Sequence, residues 1–110
     1  MVIAIDYDGT IINNDAYPNK GVIRPDAAKV IKWLKSKGAT LILWTCREGE
    51  ELEDAVQWCS IQGITFDAVN DNLPEIIEQY GCNSRKISCD LYIDDKAVAG
   101  NVYKLLEELR

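Results

Sequence analysis

Short apolar blocks alternate with longer amphipathic stretches along this chain. Val2 to Asp6 is a continuous apolar run that ends in polar residues, the pattern of a buried parallel strand. Gly9 to Arg24 is polar and irregular, with Asn13, Asn14, Asp15, Pro18 and Gly21, and reads as a loop or a short hairpin. A helix is predicted over Pro25 to Lys37: Pro25 suits the first turn, Gly38 the C-cap, and Ala27, Ala28, Ile31 and Leu34 form the apolar stripe. Thr40 to Thr45 reads as a second buried strand. Glu50 to Gln62 reads as a second helix, with Leu52, Ala55, Val56 and Cys59 inward and Gly63 closing it. A third strand is expected over Ile64 to Val69, a short helix over Leu73 to Tyr80, and a fourth strand over Asp90 to Ile93. A last helix is expected over Ala97 to Leu109, with Val98, Val102, Leu105 and Leu109 on one side. Gly100 weakens that helix by about 1 kcal/mol relative to alanine.

Strand–helix alternation predicts one α/β domain, residues 1–110, with a parallel sheet and right-handed crossovers. In such sheets ligands sit at the carboxyl ends of strands, where the strand order reverses. The acids and one hydroxyl track those ends: Asp6 and Asp8 after the first strand, Thr45 after the second, Asp94 and Asp95 after the fourth.

Composition narrows the chemistry. The longest apolar runs are far short of the roughly 20 residues of a membrane span. The N-terminus has no basic region and no long apolar core, so a cytoplasmic setting is the expectation. With a net charge of −6, general nucleic-acid binding is not expected, because phosphate neutralisation needs clustered Lys and Arg. Lys29, Lys32, Lys35 and Lys37 read as a solvated helix face. The four cysteines (Cys46, Cys59, Cys82, Cys89) contain no C-x-x-C pair and read as reduced, mostly buried residues rather than zinc or redox ligands. Histidine is absent, which excludes Ser-His-Asp and Cys-His nucleophile systems and His-ligated metals.

Asp6-Tyr7-Asp8-Gly9-Thr10 is the strongest local signal: a strand enters it, and Gly9 permits a tight turn, so Asp6 and Asp8 can face one small volume. If the first and fourth strands are neighbours, up to four carboxylates converge. Two such charges about 4 Å apart repel by roughly 4 kcal/mol at an effective dielectric near 20, so protonation or a cation is required. Oxygen-only ligands suit Mg²⁺ and exclude the soft metals.

Asp6 to Thr10 resembles the first motif, D-x-D-G-T, of the haloacid dehalogenase superfamily. Thr45, closing Leu41-Ile42-Leu43-Trp44, resembles the second motif; Lys86 resembles the third-motif lysine; and Asp94-Asp95 resembles the acidic fourth motif. All four stand in the family's order and span nearly the whole chain. The resemblance implies a phosphatase in which Asp6 attacks phosphorus and forms an aspartyl-phosphate, while Asp8 protonates the leaving oxygen and then activates water. It implies that Mg²⁺ is held by Asp6, the backbone carbonyl of Asp8 and Asp94, with Asp95 direct or through water. Thr45 and Lys86 would bind the phosphoryl oxygens. Lys96 rivals Lys86, and Thr45 and Lys86 also have bland readings, as a strand-ending residue and a solvated lysine. Arg47 reads either as a clamp for a second anionic group of the substrate or as a surface arginine. Asn70-Asp71-Asn72 reads as a helix-capping turn before it reads as a cleft border.

The resemblance also implies a Rossmann-like three-layer sandwich with four main parallel strands in the order 4-1-2-3. Family members usually carry a cap domain. Only 38 residues separate Asp6 from Thr45 and 40 separate Thr45 from Lys86, so this chain reads as cap-less. An open site implies a macromolecular substrate end, or a phosphorylated small molecule with closure by a neighbouring copy in a homo-oligomer, and leaves 9–21 as the only lid. Two non-catalytic rivals are a receiver-type signalling domain and a phosphate-binding pseudoenzyme. The first places its acidic pair and its phospho-acceptor after other strands than those marked here. A cysteine phosphatase and a P-loop are both excluded, for want of C-x₅-R and G-x₄-G-K.

Overall fold

The computed structural model describes residues 1–13, 15–83 and 86–94, and the backbone of 97–100. The elements in chain order are β1 (Val2–Ile5), α1 (Pro25–Ser36), β2 (Thr40–Leu43), α2 (Gly49–Ile61), β3 (Ala68–Val69), α3 (Pro74–Tyr80), β4 (Leu91–Asp94) and β5 (Ala97–Gly100). They form an α/β unit in which β1 to β4 are mutually parallel. No helix among the described residues is long and apolar enough to cross a membrane.

β1 is apolar on both faces because both are covered. Ile3 and Ile5 point into a core shared with Ile31 and Leu34 of α1 and with Ala55 and Cys59 of α2. Ala4 and Ile42 point the other way, onto Leu73 and Ile76 at α3. The two-residue period thus sorts one short strand between two helical layers. β1 pairs with β2 on one side (Ile3 opposite Leu41) and with β4 on the other (Ile3 opposite Leu91).

The sheet differs from the expected four strands: its order is β3-β2-β1-β4-β5. The additional strand, Ala97–Gly100, runs antiparallel to β4 where a helix was expected to start. Its two alanines favour helix, so local preference does not select this strand; pairing along β4 supplies a full ladder that overrides it. The remainder of the expected last helix lies outside the described residues.

β3 is also shorter than expected, for a visible reason. The Asp67 N–H donates to the Leu41 carbonyl at 2.8 Å, and its carboxylate accepts the Leu41 N–H at 2.9 Å. A side chain thereby takes the place of a ladder carbonyl, and regular pairing begins only at Ala68. Asp90 does the same for β4: its N–H donates to the Val2 carbonyl at 2.7 Å and its carboxylate accepts the Val2 N–H at 2.8 Å.

The polar segment after β1 is less open than its composition suggests. Ile11 and Ile12 are wholly buried, and Ile12 bridges antiparallel to Ile23, so the short-hairpin reading describes it. Gly21 is fixed there by both φ (+73°) and space, since a Cβ would come within 2.7 Å of the Ala16 Cβ and 2.8 Å of the Ile12 Cδ1.

Candidate active site

β1 is where the sheet reverses direction, with β2 on one side and β4 on the other, so its carboxyl end faces the crevice that such sheets use for ligands. Asp6 is the first residue beyond β1. Its N–H extends the ladder to the Ile93 carbonyl at 2.9 Å, which sets Asp6 beside Asp94 at the end of β4. The Thr10 hydroxyl reaches an Asp6 oxygen at 3.4 Å, and the Tyr92 hydroxyl reaches an Asp94 oxygen at the same distance. Tyr92 reports on both acids: burial first, then the negative charges of Asp94 and Asp6, push its hydroxyl up to about 12.

The turn after Asp6 is wound around one carbonyl. The N–H groups of Thr10, Ile11 and Ile12 all approach the Tyr7 carbonyl, at 3.2, 2.9 and 3.1 Å. Gly9, at φ +80°, lets the chain double back there. Tyr7 itself is buried, and its hydroxyl donates to the Lys20 carbonyl; desolvation raises its pKa.

Asp8 is held in a way the sequence did not indicate. Arg47 Nε donates to Asp8 Oδ2 at 2.9 Å and an Arg47 terminal nitrogen donates to Asp8 Oδ1 at 2.8 Å, a bidentate fork. Arg47 is only 2% exposed, so the surface reading is wrong. The clamp reading meets a difficulty as well, because the same guanidinium also donates to the Asn19 carbonyl at 2.7 Å and the Pro18 carbonyl at 3.3 Å. Its carbon lies 4.8 Å from the Tyr7 ring centre and 5.2 Å from that of Tyr17, within cation–π range. The hydrogen bonds that Arg47 donates to Asp8 are the main influence holding its pKa above the ordinary value. Asp8, Tyr17, Cys46 and Arg47 together line a cavity of about 320 Å³.

Thr45 stands where expected, just past β2. Its hydroxyl oxygen accepts the Arg47 N–H at 3.1 Å, which leaves its own proton to donate. Its N–H donates to the Asn70 side-chain oxygen at 2.8 Å, and the Asn70 amide nitrogen donates to the Arg47 carbonyl at 3.2 Å. Asn70, at φ +52°, therefore clamps the loop after β2 from the end of β3. The signal for this was the asparagine itself, the side chain that best tolerates a left-handed turn after a strand.

Lys86 is exposed and faces a different cavity, with Asn72, Ile76, Tyr80 and Ser88 on the α3 side. Its carbonyl is held by the Asn72 amide at 3.1 Å. The structure brings Asp6, Asp94, Thr10 and Tyr92 together, and Asp8, Thr45 and Arg47 together, while Lys86 lines the α3-side cavity instead. Asp95 and Lys96 lie outside the described residues.

As for a cation, no group of three or more Cys, Asp or Glu among the described residues is arranged to hold a metal ion. The donors that do stand together, the Asp6 and Asp94 carboxylates, are hard oxygens and fit Mg²⁺ in kind. Of the four carboxylates expected to converge, Asp8 has its charge answered by Arg47, and Asp95 lies outside the described residues.

No protein-family model matches the chain, and no curated protein does. Among solved structures, one described as that of a conserved protein coded by a locus from Bacteroides thetaiotaomicron is similar at 39% identity, with a TM-score of 0.79, over 100% of this chain and 92% of that one. The chain belongs to the same family as that conserved protein.

Proposed function

We propose that the chain is a Mg²⁺-dependent phosphomonoester hydrolase of the haloacid dehalogenase type, working through an aspartyl-phosphate on Asp6. The observation that carries this reading is the placement of Asp6 at the carboxyl end of the central strand, with Asp94 at the end of one neighbour and Thr45 at the end of the other. A nucleophile, a second hard ligand and a hydroxyl donor on three adjacent strand ends match the needs of phosphoryl transfer, which are positioning and charge stabilisation.

In the first step an Asp6 oxygen forms a bond to phosphorus as the bond to the leaving oxygen breaks, and Asp8 supplies the proton that the leaving oxygen takes. In the second, water attacks the phosphoryl group, Asp8 accepts a proton from it, and the Asp6–phosphorus bond breaks. The two bonds from Arg47 hold both oxygens of Asp8 and so fix the direction in which it would exchange a proton. The free proton of Thr45 is available to a phosphoryl oxygen. Mg²⁺, when bound by Asp6 and Asp94, would supply the positive charge that lets an anionic nucleophile approach an anionic ester. The test is a panel of phosphate monoesters with and without Mg²⁺: metal-dependent release of inorganic phosphate supports the reading, and none from any ester in the panel rejects it.

A second reading, a phosphate-binding module without turnover, draws on the engagement of both Asp8 oxygens by Arg47. It predicts that the protein binds inorganic phosphate yet hydrolyses nothing in the same panel.

A further inference from the structure

Arg47 is a large, fully buried side chain that the proposed chemistry does not use. It joins three segments distant in sequence: Asp8 after β1, its own loop after β2, and the 16–20 stretch of the hairpin that follows β1. Its planar fork is matched on one edge by both Asp8 oxygens, and its remaining nitrogen donors reach the Pro18 and Asn19 carbonyls. Tyr17, 62% exposed, extends over the guanidinium from the same stretch. The Tyr7 hydroxyl, between Asp6 and Asp8, adds a bond to the Lys20 carbonyl.

We infer that Arg47 is a positioning residue that makes the docking of residues 16–20 and the orientation of Asp8 a single event. A guanidinium can satisfy both partners only in one plane. If the stretch lifts away, the fork loses two carbonyl acceptors and a stacking ring, and Asp8 loses its fixed orientation. If Asp8 turns away, the stretch loses the ion pair that holds its anchor. Arg47 therefore acts through Asp8 rather than on the substrate. Lysine, a point charge with three rotatable donors, cannot reproduce the fork. The catalytic half of this inference rests on the phosphohydrolase reading; the conformational half does not.

Two measurements test it, on wild type, Arg47→Lys, Asp8→Asn and the double variant. The asparagine keeps the shape of Asp8 but presents an N–H₂ to a guanidinium N–H, so the fork breaks without a change in volume. The first measurement is amide hydrogen exchange across residues 16–22, normalised to the core amides of β1 and β2. Both single variants should exchange about tenfold or more faster there, the scale of losing a charge-assisted hydrogen bond. An unchanged rate in Asp8→Asn overturns the coupling, and this result does not depend on activity. The second is hydrolysis of an alkyl phosphate. Arg47→Lys should lower kcat by roughly 10- to 100-fold, part of the 10²- to 10⁴-fold that an acid–base group contributes, with KM within about twofold, since uniform binding is untouched. The double variant should match Asp8→Asn alone within about twofold, because the two residues act as one unit. A double variant as slow as the product of the two single effects, or a large rise in KM in Arg47→Lys, assigns Arg47 to the substrate and overturns the inference while leaving the phosphohydrolase reading intact. A wild type that hydrolyses nothing rejects that reading, and the exchange result then decides the coupling alone. Should Arg47→Lys fail to melt cooperatively, Asp8→Asn carries the exchange test by itself.

Discussion

The loops after β1 and β2 are joined by charge, through Arg47 and Asp8, with aromatic rings against the guanidinium. The loops after β3 and before β4 are joined by carboxamides. Asn72, 5% exposed, accepts the Ser88 N–H at 2.6 Å and donates to the Asn83 side chain and the Lys86 carbonyl, while Asn83 donates to Asp71 at 2.6 Å. Asn70 ties this half to the other through Thr45 and Arg47. Carboxamides do not titrate and offer fixed donors and acceptors, so they make a frame. An ion pair built on the proposed acid–base group changes whenever that group moves or gains a proton. One half of the edge holds shape, and the other can respond to chemistry.

The sharpest way to break this contrast is at Asp6, which stands at the boundary of the two halves. Asp6→Asn keeps the shape and removes the nucleophilic charge, so turnover should fall below detection while the melting transition stays at or above that of wild type. Steady-state assays beside thermal melts check it; substantial residual kcat would contradict covalent catalysis through Asp6. Metal removal should act comparably: EDTA abolishes activity, Mg²⁺ restores it, and Ca²⁺ competes, because its looser coordination misplaces the nucleophile.

The two halves should then separate by kind of defect. Arg47→Ala leaves the half-buried Asp8 carboxylate without its partner and should cost roughly 3 kcal/mol, the lower part of the range for breaking a buried pair, since Asp8 keeps some solvent contact. It should also lower kcat per folded molecule. Asn72→Ala strips partners from a backbone N–H and a carbonyl and should cost about 2 kcal/mol, with kcat per folded molecule nearly kept. Urea titrations with parallel assays distinguish them; an equal loss of kcat in Asn72→Ala would erase the contrast.

At neutral pH the smallest effect lies in the core beneath both halves. Burial pushes the Cys59 thiol up to about 12 from an ordinary value of 9.0. Below pH 9 the thiol is neutral folded and unfolded, and stability is unaffected. Between pH 9 and 12 the unfolded thiol ionises while the folded one does not, so stability is lost as pH rises. The loss should be shallower in Cys59→Ala, read as the slope of unfolding free energy against pH; an unchanged slope would contradict it.

What could be read beforehand was whatever local pattern determines. The runs at Val2–Ile5 and Thr40–Leu43, the inward stripes of α1 and α2, and the arrival of Asp6, Thr45 and Asp94 at strand ends all follow from periodicity and punctuation. β5 escaped because Val98, Val102, Leu105 and Leu109 keep helical spacing, while residues 97–100 answer to the open edge of β4. β3 was over-extended because a side chain that mimics a ladder carbonyl, as Asp67 does, leaves no apolar signature. The link between Asp8 and Arg47 spans 39 positions and joins two loops, so no period or spacing announces it. Lys86 matched a motif by order in the chain, and order does not say which cavity a side chain faces.

The central claim, a phosphoryl group carried on Asp6, is tested most directly by trapping it. Asp8→Asn should accept phosphate from nitrophenyl phosphate, whose leaving group needs little protonation, and then stall for want of a base. Rapid quench should show a nitrophenol burst near one per active site, and mass spectrometry of the digested protein should place one phosphoryl group on the peptide containing Asp6. No burst and no phosphopeptide in that variant, while the wild type turns over the same ester, would contradict the account.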